Sequence, residues 1–366
     1  MPKQRKIKHY RYGYSSRRQR RSRIWKGLLF ILLLAVLVFI GYCVTKAVQN
    51  LVNRPEESSL PFSQAESLPP ESSEASSGPE SSSEPYEPVR ASIRAIVMPK
   101  ESMSSLDAAA AFLDSVDSSK YNSVAVELKD SSGILYYTSQ VDLAKTCQAV
   151  SPSALDAAAL AQLIRDKGFT PAARVYALQD DIASHTAYGT SYMYLDQASV
   201  TWLDRAADKG GKSWLNPYMA NAVDYLASLS GEIAEAGFET IFACGIQYPN
   251  SKYPAEMGFG PEKSSMTTVE ALQNVLDQME TQAARHGSAV VPVFLGDGYL
   301  EQTNGLYSDS ANVFQSDVTS PLLDEGRESE ILAEVTAPVN SLIPSIHSES
   351  QIPLLATAGI DQYLVN

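Results

Sequence analysis

Ionisable and aromatic residues gather just after the predicted strands of this chain, and their types limit the chemistry open to it. Glu127, Lys129 and Asp130 stand together in VELKDSSG, and Arg174, Gln179, Asp180 and Asp181 in ARVYALQDD. Trp202, Asp204, Trp214, Asn216 and Tyr218 share the polar stretch TWLDRAADKGGKSWLNPY. Cys244, Gln247 and Tyr248 stand at the end of the fourth predicted strand, and Asp297 and Tyr299 at the end of the fifth. Carboxyl groups brought together could move protons, and Glu127, Asp130 and Asp297 are the candidates. Glu127 and Asp130 are three apart and face opposite ways on a regular strand, so only a bend after Leu128 would unite them. Arg174, in a buried strand, needs a counter-charge, for which Glu127 or Asp130 is placed. The four histidines (His9, His185, His286, His347) have no partner at metal-ligand spacing, so no metal and no cofactor are expected. No G-x-S-x-G elbow or phosphate loop is present. A Cys244 nucleophile served by His185 stays open as a minor alternative.

The elements that must position these residues alternate. Predicted strands cover 91–98, 123–128, 170–178, 240–246 and 289–295, and predicted helices 104–116, 152–167, 221–236 and 268–285. Beyond 295 the pattern weakens, with strands expected near 311–314 and 353–356 and a helix near 328–339. Alternating strand and helix units imply parallel strands buried on both faces. A (β/α)8 barrel of the TIM type is therefore expected for the domain 91–366, and its functional face lies past the carboxyl ends of the strands. An open doubly wound sheet is the alternative, but no strand leads into a G-x-G-x-x-G turn.

The chain's N-terminal part has a different character. Eleven of the 29 Lys and Arg lie in residues 1–26, which contain no Asp or Glu; the remaining 18 basic and 42 acidic residues sum to −24. The run from Gly27 to Thr45, GLLFILLLAVLVFIGYCVT, is uncharged and long enough to cross a hydrocarbon core of ~30 Å at ~1.5 Å per residue. One transmembrane helix over residues 27–46 is expected, its cationic flank cytoplasmic and the rest extracytoplasmic. A cleavable signal peptide is the competitor, with a shorter apolar region. Residues 47–90, rich in Ser, Glu and Pro, have too few apolar side chains to order themselves and form a disordered linker. The acidic exterior disfavours nucleic acid as a partner. Beyond the apolar run only Cys147 and Cys244 remain, so no disulfide framework exists, although one bond between them is open in an oxidising exterior.

Taken in order, these motifs resemble a family of glycoside-hydrolase-type domains of Gram-positive bacteria, often held behind a membrane anchor, whose barrel is distantly like that of the alpha-amylases. The family's D-x-K-D-x-x-G is similar to Glu127-Leu128-Lys129-Asp130-Ser131-Ser132-Gly133, and its A-R-V with a following Asp to Ala173-Arg174-Val175 and Asp180. Its W-x-D and W-x-D/N-P-Y are matched by Trp202-Leu203-Asp204 and Trp214-Leu215-Asn216-Pro217-Tyr218, and its G-F-D/E-x-I by Gly237-Phe238-Glu239-Thr240-Ile241. Strand four departs: where members carry F-D-Y-V-R-F-P, this chain has Ala243-Cys244-Gly245-Ile246-Gln247-Tyr248-Pro249, so Cys244 replaces an Asp and Gln247 an Arg. Glycosidic cleavage ordinarily takes two carboxyl groups, and a thiol and an amide supply neither.

The resemblance implies a membrane-anchored domain that acts on or binds a cell-envelope polysaccharide, with reduced or no hydrolysis. Lys129, Arg174, Asp180, Trp202, Trp214, Cys244, Gln247 and Tyr248 are its expected substrate-binding residues, the tryptophans as stacking platforms for sugar rings. The alternatives are an active glycosidase using Asp297, Asp130 or Asp180 as relocated carboxylates, and a non-catalytic structural envelope protein.

Overall fold

A computed structural model describes residues 92–251, 253–295, 314–335 and 337–366. The expected basic tail, membrane span and linker lie outside the described residues, as does Asp297; among the described residues no helix is long and apolar enough to cross a membrane. Eight parallel strands close into a barrel: β1 (Arg94–Val97), β2 (Ser123–Lys129), β3 (Thr170–Tyr176), β4 (Thr240–Cys244), β5 (Ala289–Leu295), β6 (Ser320–Leu323), β7 (Ser345–Ile346) and β8 (Tyr363–Val365). Each pairs with the next, and β8 returns to β1, so no barrel edge is left open.

Helices α1 (Leu106–Ser115), α2 (Ala157–Asp166), α3 (Asp181–Thr186), α4 (Ala220–Glu235), α5 (Thr268–Ala284), α6 (Glu328–Glu334) and α7 (Ile352–Thr357) fill the connections. Local chemistry sets their ends. Ser105, Asp156 and Asp180 accept from the third following backbone N–H to start α1, α2 and α3, and a Thr267–Glu270 capping box starts α5. Gly168 and Gly237, at φ +86° and +99°, end the turns after α2 and α4, where any Cβ would be strained.

Strand alternation sorts the side chains into two cores. Ala95, Ala125, Ala172, Phe242, Val291 and Leu364 fill the barrel interior. Their neighbours, such as Val124, Val126, Ala173, Val175, Ile241 and Val290, face outward against the buried stripes of α2, α4 and α5. Each large aliphatic side chain buried here contributes about 1.5–3 kcal/mol.

Five of the eight barrel strands fall where the apolar runs predict. The last third differs. The segment expected as a strand at 353–356 is helix α7, because Pro353 fits the first turn of a helix and Gly359, at φ +75°, follows its end. The strand expected near 311–314 lies largely outside the described residues, and Phe314 is not in a strand. β6, β7 and β8 complete the barrel with segments of two to four residues.

Two excursions decorate the carboxyl-terminal end of the barrel. After β2, Leu135–Tyr137 runs antiparallel to the strand's end and pairs with Val150–Leu155, which occupies residues expected as the start of a helix. The connections after β3 and β4 share a three-stranded sheet of Met193–Tyr194, Gln197–Thr201 and Met257–Gly258.

Candidate functional site

Glu127, Arg174 and Cys244 meet in the barrel mouth. Two residues upstream of each stand Ala125, Ala172 and Phe242 in the interior core, and side chains two apart share a face. The register joins them: Glu127 lies opposite Arg174, and Tyr176, two beyond Arg174, opposite Cys244. Arg174 Nε is 4.0 Å from Glu127 Oε2, and its Nη2 donates to the Tyr176 hydroxyl at 2.9 Å. The Cys244 thiol, almost wholly buried, points at the Phe242 carbonyl 3.9 Å away. Burial pushes the Glu127 carboxyl above the usual carboxylate range, and the Arg174 charge only partly offsets this. Burial likewise raises the Cys244 thiol. Burial works against the Arg174 charge, but the Cys244, Tyr176 and Glu127 side chains around it more than restore it.

A bulge turns the end of β2. The register shifts between Glu127 and Lys129, so Lys129 lies opposite outward-facing Val175 rather than in the mouth. There its ammonium, with no exposure at all, donates to the carbonyls of Tyr176, Ala177 and Gln179 at 2.6, 3.3 and 3.4 Å and lies 3.0 Å from Asp180 Oδ2. That last contact is an ion pair rather than an aligned hydrogen bond, since Oδ2 accepts none. Asp180 Oδ1 caps α3 through Ala183 N at 2.7 Å. A Cβ on Gly133 would fall 2.1 Å from Oδ1, at φ +97°, so the glycine of the D-x-x-G pattern leaves the space that Asp180 fills. Lys129 and Asp180 thus tie the second and third strand ends together behind the mouth.

Asp130 is engaged at the rim. Its Oδ1 accepts from Ser132 N, Ser132 Oγ and Ile134 N, and its Oδ2 from the Tyr136 hydroxyl at 2.7 Å and Lys100 at 3.3 Å. Burial alone would raise this carboxyl, but the hydrogen bonds from Ser132, Tyr136 and Ile134 outweigh it and hold it at about 2. With its lone pairs committed, Asp130 has none left for a ligand. Among the described mouth residues Glu127 is the open carboxylate: it has its long contact to Arg174 and accepts no hydrogen bond.

The expected aromatic platforms are elsewhere. Trp202 is fully buried, edge-to-face with Tyr192 at 6.1 Å, and Trp214, also buried, donates its indole N–H to Asp204 Oδ2 at 3.2 Å. In this arrangement neither ring is exposed for stacking on a sugar; both belong to the main hydrophobic core. Tyr248 is buried with its hydroxyl on the Thr268 carbonyl at 2.8 Å, and Gln247 is buried next to it in sequence. His185 is exposed at the end of α3. Cys147 and Cys244 are both buried free thiols. No group of three His, Cys, Asp or Glu suited to a metal occurs among the described residues.

Three residues of the mouth and rim escape the motif reading. Tyr176 was signalled only by its spacing of two from Arg174, and Lys100 and Tyr136 reach Asp130 from the connection after β1 and from the excursion after β2. In the connections after β3 and β4, Tyr188 and Leu195 are strongly exposed beside a cavity of about 870 Å³ that Met193, Met219 and Phe259 also line.

Residues 95–303 match the family model described as "Putative glycosyl hydrolase domain". Among solved structures, the glycoside hydrolase domain of PgaB (BpsB) from Bordetella bronchiseptica is similar at 12% identity and a TM-score of 0.53, covering 75% of this chain and 93% of that one. A hypothetical protein from Ruminiclostridium thermocellum is 18% identical with a TM-score of 0.46, covering 54% of this chain and 96% of that one. The Flavobacterium johnsoniae chitobiase is 14% identical with a TM-score of 0.47, covering 70% of this chain but 38% of its own length. At such identities the likeness is one of fold. No curated protein matches. With the family model spanning more than half of its residues and an eight-stranded parallel barrel beneath them, the chain belongs to the family described as a putative glycosyl hydrolase domain.

Proposed function

We propose that this protein is a membrane-anchored, extracytoplasmic barrel that holds a cell-envelope polysaccharide at its mouth with little or no hydrolysis. The anchoring rests on the apolar run Gly27–Thr45 and its cationic flank, and the glycan on the family and on the mouth's mixture of carboxyl, guanidinium and hydroxyl groups. One observation carries the reduced hydrolysis. Among the described mouth residues a single carboxylate, Glu127, is open, and the fourth strand presents the buried thiol of Cys244. A glycosidase sets two carboxyl groups across the scissile bond, ~5–5.5 Å apart for retention and ~6.5–9.5 Å for inversion. Asp130 and Asp180 are committed to the turn and to Lys129 and do not fill the second place.

The raised Glu127 carboxyl favours a second reading, since a general acid needs that property. The test separates the two. Detergent-solubilised full-length protein, titrated with polysaccharides from bacterial envelopes, should bind saturably and release no reducing ends, and protease added outside intact cells should remove the barrel. Release of reducing ends that disappears in E127Q or D297N would replace this reading with an active glycosidase. Absence of any saturable glycan binding would leave a structural envelope protein.

A further inference from the structure

We propose that the mouth takes a sugar bearing a carboxylate, seated on the open edge of the Arg174 guanidinium; this rests on the glycan-binding reading above and narrows it to acidic chains. Arg174 carries five N–H donors in a fixed fork. One, on Nη2, is used by the Tyr176 hydroxyl, and the Cys244 sulfur also hydrogen-bonds the guanidinium. Among the described residues Nε, which is buried, has no acceptor, and the Glu127 carboxylate oxygen 4.0 Å away is beyond hydrogen-bond distance. A buried donor without an acceptor is costly and uncommon.

The neighbouring acids among the described residues do not complete the fork. Asp130 is saturated by Ser132, Ile134, Tyr136 and Lys100, and Asp180 faces Lys129 behind the strands. Cys244, whose thiol burial pushes up, meets the guanidinium through its sulfur and brings no oxygen to it. The contrast with Lys129 is informative: that cation has four oxygens around it and no exposure, whereas Arg174 keeps 18% of its side chain exposed, through atoms other than the buried Nε. A planar carboxylate is the group that matches an open guanidinium edge with two parallel bonds. Glu127, pushed upward by burial, can take a proton beside the incoming anion and donate to it.

The test uses full-length protein in detergent and three acidic oligosaccharides, one of galacturonate, one of hyaluronan and one a muramic-acid-containing glycan strand, each paired with its carboxyl-reduced neutral counterpart. In at least one pair the acidic member should bind about 10- to 100-fold tighter, the range of a charge-assisted pair. R174Q should erase that preference, and R174K, which keeps the charge without the fork, should lose several-fold. Equal affinity within every pair overturns the acidic-sugar assignment and leaves the glycan reading standing, whereas no binding by any member overturns both. Preference that survives in R174Q overturns the seat on Arg174. The wild-type comparison decides the substrate class even if both variants misfold.

Discussion

Replacing Lys129 with Met should be among the most damaging single substitutions at the barrel's carboxyl-terminal end. At 3.0 Å from Asp180, with both side chains fully buried, the gross attraction is about 5 to 6 kcal/mol at an effective dielectric of ~20. Desolvation of both ions offsets most of that, so the pair's net worth is smaller. Removing one partner is another matter. K129M strands the Asp180 carboxylate and withdraws the donor from the carbonyls of Tyr176, Ala177 and Gln179, a loss on the order of 3–5 kcal/mol. D180N keeps an oxygen for the α3 cap and leaves the lysine its three carbonyls, so a loss of roughly 2–3 kcal/mol is expected. The double variant should fall short of the sum by about 2 kcal/mol, because each change removes the other's reason. Urea denaturation followed by far-ultraviolet circular dichroism measures all three. A K129M loss under about 1 kcal/mol, or strict additivity in the cycle, would refute the view that this pair fixes the second and third strand ends and hence Arg174.

Further outcomes follow from the same contacts. Asp130 is held near 2 against its ordinary 3.8, so its contribution is present above pH ~4 and is lost as pH falls through about 2; with solvent screening of this rim group, D130N should be roughly 1 kcal/mol less stable at pH 7 and equal to wild type in strong acid, as chemical denaturation across pH would report. Glu127 has the opposite sign. Its raised carboxyl favours the folded state below pH ~4.5 and less so as pH rises, so the stability of E127Q relative to wild type should increase between pH 4 and 7. Trp202→Ala should lose about 3–5 kcal/mol of stability, while W202F should bind glycan like wild type in titration calorimetry; selective loss of binding in a stable W202F would restore the tryptophan as a platform. In a C43S background the folded protein should yield no rapid thiol titre with a disulfide reagent and two thiols after denaturation, and a Cys147–Cys244 crosslink in peptide mapping would contradict both free thiols.

The sequence made the strand ends readable because parallel strands buried on both faces are continuous apolar runs, and the first five barrel strands have that form. β7 and β8 do not: two and three residues carry no period, and PLLA, beginning at Pro353, looks as much like a strand as the helix it forms. In the mouth, Arg174 and Cys244 were placed by spacing alone, and Glu127 with them. Lys129 was expected there too, and the bulge after Glu127 sent it behind the strands; a register shift leaves no mark on the apolar pattern. The burial of the tryptophans was hidden for a related reason. Two indoles in a polar stretch look exposed, but Trp202 packs on Tyr192 and Trp214 bonds Asp204 inside connections whose small sheet joins Met193 to Gly258 across 65 positions of chain. The D-x-x-G spacing matched the family, but its physical basis, Gly133 clearing Asp180, appears only once the two connections lie side by side.

The most direct measurement is a crystal structure of the protein with a bound oligosaccharide selected by titration. The account predicts a sugar ring in the barrel mouth within hydrogen-bond reach of Glu127 and Arg174, and beside Cys244. A ring seated instead in the cavity beside Tyr188 and Phe259, with the mouth filled by solvent, would contradict it.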